Sequence, residues 1–158
     1  MVPAKLCAVQ KKPNVPLSVN LRHFVWPAPT TMPGSVGVSV FGATSCVGVI
    51  TNFDDTATAY EILARHGILP RLGAVVVSEA IGLRKPSPVL VRLALRELDV
   101  PAPDAVMIGD HAIEDVGAAN AAGVDAIWID KTGEGVTDGN PTPRWIVRSL
   151  LEVAPILG

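Results

Sequence analysis

The chain has 158 residues, 49% of them hydrophobic, a positive mean hydropathy and a formal net charge of −2. This suits one domain with a real core. It excludes a nucleic-acid surface, which needs clustered Lys and Arg, and a membrane partner, since no apolar run is long enough to span a bilayer. Two cysteines, Cys7 and Cys46, make neither a disulfide framework nor a metal cluster, and the N-terminus lacks the unbroken apolar run of a secretory signal, so a reduced, cytoplasmic protein is expected.

The first 46 residues differ from the rest. Lys5, Lys11, Lys12 and Arg22 have no counter-charge, because all 15 acidic residues lie from Asp54 onward. The segment is rich in proline (Pro3, Pro13, Pro16, Pro27, Pro29, Pro33) and shows no sustained period; its one strand-like stretch is Val36–Phe41. Three readings fit it. A targeting peptide would be acid-poor, as here, but also Arg-rich and amphipathic. The others are an irregular extension and a segment foreign to the domain, arising from an altered start, a shifted frame or a gene fragment. The abrupt change of composition favours the last, dividing the chain into a Pro-rich basic segment, 1–46, and a domain, 47–158.

From there the pattern is regular. Cys46–Thr51 is a short apolar run suited to a strand buried on both faces. Asp55–His66 reads as a helix stopped by Gly67, and Ala74–Ser78 as a second strand. Pro88–Leu98 is a helix capped by Ser87, followed by a strand at Ala105–Ile108. A helix at Ile113–Ala122 ends at Gly123, Asp125–Ile129 is a fourth strand, and Arg144–Val153 reads as a last helix. Alternating strands and helices predict an α/β fold with a mostly parallel sheet, its strand C-termini along one edge.

At that edge the loops would bring together Thr51 and Asn52, Lys85, and the carboxylates of Asp110 and Asp115. A hydroxyl and an amide donate hydrogen bonds, an ammonium neutralises an anion, and carboxylates supply hard oxygen to Mg²⁺, so the set suits a phosphate and a divalent cation. Taken singly, each group has a plainer reading as a turn residue, a solvated charge or a helix cap. His111 reads as a first-turn residue facing solvent and Trp128 as core or interface, while His23 and His66 have no partner at ligand spacing.

The order of these groups resembles the haloacid-dehalogenase-type (HAD) hydrolase superfamily. Gly48–Asp54 is similar to its second motif, Ser78–Pro88 with Gly82-Leu83-Arg84-Lys85-Pro86 to its third, and Met107–Asp115 to its fourth, a Gly-Asp-x₄-Asp pattern. The resemblance covers roughly residues 47–155. It implies a three-layer Rossmann-like parallel sheet with flanking helices, incomplete on its N-terminal side. It also implies a Mg²⁺-dependent phosphatase acting on a small phosphorylated metabolite, with a 2-haloacid dehalogenase as the alternative. Thr51 would hold the phosphoryl group with Asn52 beside it, Lys85 would stabilise nucleophile and intermediate, and Asp110 and Asp115 would serve the metal. The oligomeric state is left open, a homo-oligomer being compatible with the sequence.

One departure stands out. The family's first motif, Asp-x-Asp-x-Thr, supplies the nucleophile and the general acid–base, and no Asp or Glu precedes Asp54. Asp54-Asp55-Thr56 follows the strand of the second motif and cannot take its place. The cap that selects substrate is missing as well. A central strand carries about three to five apolar side chains worth roughly 1.5–3 kcal/mol each. That compares with a whole domain's net stability of about 5–15 kcal/mol. A substitute strand is therefore expected, from Val36, Val38 and Val40 or from a partner chain; without one the isolated domain should be marginally stable. With the nucleophile motif absent, the alternative to an active hydrolase is a catalytically inactive fragment that binds Mg²⁺ or phosphate weakly, or a subunit completed by a partner chain.

Overall fold

The computed structural model describes residues 6–11 and 47–157, with backbone alone for the first segment. In chain order the elements are β1 (Leu6–Lys11), β2 (Val47–Thr51), α1 (Thr56–Arg65), β3 (Ala74–Val77), α2 (Ser78–Ile81), α3 (Pro88–Leu98), β4 (Ala105–Gly109), a wide π-type turn (Ala112–Val116), α4 (Gly117–Ala122), β5 (Asp125–Ile129), β6 (Trp145–Val147) and α5 (Ala154–Leu157). They build one six-stranded sheet in the order β3-β2-β1-β4-β5-β6.

Five strands run one way. β2 pairs with β3, β4 with β5 and β5 with β6 in parallel, whereas β1 is antiparallel to both β2 and β4. Its register sets Leu6 opposite Thr51, Val9 opposite Gly48, and Ala8 opposite Ile108. The central gap expected from the sequence is thus filled from within the chain, by a strand not anticipated there. Leu6-Cys7-Ala8-Val9 is a continuous apolar run, the composition of a strand covered on both faces. The stretch Val36–Phe41, read as the strand candidate, lies outside the described residues.

The sheet buries both faces. Ala105 and Met107 of β4 join Ile50, Val76 and Trp128 against α3 and α4. Val106 and Ile108, pointing the other way, pack with Ile127, Val147, Val153 and Leu157. The stripe Leu90, Val91, Ala94, Leu95 and Leu98 forms the apolar side of α3, and all five are buried. At roughly 1.5–3 kcal/mol per large side chain, this helix is a main anchor of the sheet.

Helix ends follow local chemistry. The Asp55 carboxylate accepts from Thr58 N at 2.9 Å, and the Ser87 hydroxyl from Val89 N at 3.4 Å. Gly123 closes α4 in the left-handed conformation. The C-terminal segment corrects the sequence reading. Instead of a helix over Arg144–Val153, Trp145–Val147 is a parallel edge strand on β5, followed by a single 3-10 turn at Leu150–Glu152 and the short helix α5. Ile146 faces out while Val147 is buried, the alternation of a strand. No helix among the described residues is long and apolar enough to cross a membrane.

Candidate active site

The C-terminal ends of β2, β3, β4 and β5 meet along one edge. β2 ends in Thr51, whose side chain is buried. The next residue, Asn52, clamps the loop after α2. Its Oδ1 accepts from Lys85 N at 2.8 Å, and its Nδ2 donates to Lys85 O at 3.1 Å and to Glu114 Oε2 at 3.2 Å. Ser78 Oγ donates to Phe53 O at 2.9 Å, tying the start of α2 to the same strand end.

The clamp turns Lys85 inward. Its side chain is 1% exposed, and Nζ donates to Ile50 O at 3.3 Å and lies 2.7 Å from Asp115 Oδ1. That contact is an ion pair outside hydrogen-bond geometry, and Oδ1 has no hydrogen-bond partner among the described residues, so the ammonium is its counter-group. Asp115 reaches Lys85 because the wide turn after β4 folds its carboxylate over the strand end. Oδ2 accepts from His111 N at 2.9 Å. A Cβ at position 109 would fall 2.4 Å from the Asp115 side chain, so the close approach admits only glycine. His111 Nδ1 accepts from Glu114 N at 3.2 Å, a capping role rather than a solvent-facing one.

Asp110 lies farther out. Its Oδ2 accepts from Lys131 Nζ at 3.0 Å, and its carbonyl accepts from Trp128 Nε1 at 3.4 Å. Lys131 follows Asp130, a buried carboxylate at the end of β5. Asp130 accepts from the N–H groups of Gly133 and Gly135, both at 2.9 Å, and from the Thr132 hydroxyl at 3.1 Å, while Arg148 Nη1 lies 3.2 Å from Oδ2. The Gly135 N–H, aided by Gly133, Thr132 and the Arg148 charge, holds this carboxyl below the usual range against the opposing effect of burial. Asp110, Trp128, Lys131, Glu134 and Asn140 help line an adjoining cavity of about 420 Å³.

The structure therefore joins Lys85, Asp115 and Asn52, with the Ile50 carbonyl beside Thr51, into one cluster. Asp110 pairs with Lys131. Asn52, expected to face an anion, spends its amide on Lys85 and Glu114 and acts as a positioning residue. Lys131 was not singled out from sequence. Its place just past the fourth strand is the same signal that marked Thr51, Lys85 and Asp110.

Residues 82–153 match the HAD-hydrolase-like family model. Over that stretch the chain is similar to the HAD-like hydrolases. It corresponds to the C-terminal part of their core. A phosphoserine phosphatase from Thermus thermophilus is 37% identical over 93 residues, 59% of this chain and 37% of that protein. A magnesium-bound HAD-hydrolase of Bacillus subtilis, YfnB, superposes with a TM-score of 0.62 at 25% identity, over 70% of this chain and 48% of that one. A 2-haloacid dehalogenase from Pseudomonas syringae gives 0.55 at 30% identity, over 60% and 41%. The chain spans well under half the length of the first of these relatives.

HAD-family phosphatases generally use magnesium. The described residues do not by themselves make up a site for the ion. Among the described residues, no three His, Cys, Asp or Glu side chains converge as ligands. Asp115, expected beside Asp110 on a cation, is sealed against Lys85 and the His111 amide, and Asp110 already carries an ammonium. A hard cation demands octahedral oxygen donors, and of the two carboxylates expected to serve it, Asp110 and Asp115, the second is enclosed.

Proposed function

We propose that this HAD-like hydrolase is of the phosphatase type, directed at small phosphorylated metabolites, and that its own hydrolysis of phosphate esters is impaired. The observation that carries this reading is the strand between β2 and β4. It is Leu6–Lys11, it runs against both neighbours, and it brings no carboxylate to the edge where Thr51 ends β2 and Asp110 follows β4. The phosphatase class is supported by relatives such as the phosphoserine phosphatase, and impairment by the enclosure of Lys85, whose ammonium is committed to Asp115.

Loss of a covalent nucleophile costs on the order of 10⁴–10⁶ in rate. Set against an ordinary turnover of about 10 s⁻¹, the chain should hydrolyse p-nitrophenyl phosphate at roughly 10⁻³ s⁻¹ or slower, with or without Mg²⁺. Steady-state release of p-nitrophenol measures this, with chloride release from 2-chloropropionate testing the dehalogenase alternative. Turnover near 1 s⁻¹ on either substrate would refute the impaired-enzyme reading.

The reversed direction of β1 favours one second reading, in which a parallel, carboxylate-bearing strand from another chain takes the central slot. Light scattering of the purified chain, with hydrolysis measured across its assembly states, tests it; an inactive monomer and an equally inactive oligomer would defeat completion by copies of this chain.

A further inference from the structure

We propose that the ammonium of Lys131 is a built-in substitute for a divalent cation at Asp110, so that this rim carboxylate is neutralised without a metal. Two observations support it. The first is the contact itself, Lys131 Nζ to Asp110 Oδ2 at 3.0 Å. The second is the frame that delivers the lysine. On its N-terminal side, Asp130 N donates to Val147 O at 2.8 Å, anchoring the residue to β6. On its C-terminal side, Asp130 gathers the amides of Gly133 and Gly135 into a tight loop. Arg148 closes the frame, its Nη1 donating to Asp130 O at 3.1 Å, and a Cβ at Gly133 would fall 2.5 Å from that atom. The partner has a hold of its own, since the Trp128 indole donates to the Asp110 carbonyl at 3.4 Å. With both backbones fixed, only the lysine side chain has to be ordered to make the pair.

The pair is partly solvated, with Lys131 67% and Asp110 25% exposed. Its strength is therefore that of a surface ion pair, and it should weaken cation binding at Asp110 by about two- to fivefold rather than abolish it. The other carboxylate expected beside it, Asp115, is enclosed by Lys85.

This inference does not depend on any turnover of phosphate esters, and the metal alone serves as probe. Mn²⁺ is titrated into the full chain, and paramagnetic broadening of the Trp128 indole N–H resonance, next to Asp110, reports occupancy. Lys131→Met should bind Mn²⁺ about two- to fivefold more tightly than the parent, Lys131→Arg should match the parent, and Asp110→Asn should remove the effect from both backgrounds. Unchanged far-UV dichroism in each variant separates competition from misfolding. Equal Mn²⁺ affinity for Lys131→Met and parent would overturn the proposal. So would broadening that survives Asp110→Asn, or no saturable broadening in any variant.

Discussion

Separating Lys85 from Asp115 should damage stability more than deleting either side chain's packing would suggest. The two side chains are 1% and 3% exposed and 2.7 Å apart. Among the described residues, Lys85→Met leaves the Asp115 carboxylate with the His111 amide but no counter-charge, and Asp115→Asn leaves the ammonium with the Ile50 carbonyl alone. Breaking a buried pair from one side costs about 3–5 kcal/mol, because the surviving charge stays desolvated. With a urea slope of about 1–3 kcal/mol per M, each single variant should lower the unfolding midpoint by roughly 2 M. The double variant should behave differently. Met fills the lysine channel without charge, and Asn keeps an oxygen for the His111 N–H, so the pair should recover to within about 1–2 kcal/mol of the parent. Urea unfolding followed by far-UV dichroism on all four proteins gives the coupling directly. Additive losses, or single variants within about 1 kcal/mol of the parent, would refute a committed buried ion pair.

Asp130 makes a pH-dependent contribution with a definite sign. Its carboxyl is held below the usual range first by the Gly135 N–H, so its stabilisation is full above the unfolded value of about 3.9 and is lost as pH falls through the lower folded value. The stability gap between parent and Asp130→Asn should therefore be flat from pH 7 to about 5 and close in more acidic buffer; urea midpoints from pH 7 downward check this, and a gap that persists or widens in acid would contradict it. The amides of Leu6–Lys11 should exchange with solvent as slowly as those of β2 and β4, because each neighbour strand pairs with them. Hydrogen-exchange mass spectrometry reads this, and exchange at the rate of an unstructured peptide would remove β1 from the sheet.

Much of the α/β pattern could be read locally. The Asp55 and Ser87 caps and the stop at Gly123 mark helix ends through contacts within a few residues. The strands β2, β4 and β5 announce themselves as short apolar runs because both their faces are covered. What escaped depended on distant partners. Trp145–Val147 lies between Arg144 and Arg148 with a spacing that also suits a helix, and only the edge of β5 makes it a strand. Leu6–Lys11 is six residues in a proline-rich surround, and its identity comes entirely from pairing with β2 and β4. At the site, strand-end position picked out Thr51, Lys85 and Asp110. It could not show that Asn52 would turn back onto Lys85, that Asp115 would face the lysine, or that Lys131 would reach Asp110, since those are choices of side-chain direction made by packing.

The direction of β1 has a topological corollary. Gln10 pairs with Val47, so the end of the first strand and the start of the second are already neighbours on the same side of the sheet. Antiparallel neighbours can be joined by a two-residue hairpin. Connectivity alone therefore asks for no crossover element between Lys11 and Val47. A parallel strand in that slot would instead need a crossover helix or its like, which would tie the connecting segment to the architecture.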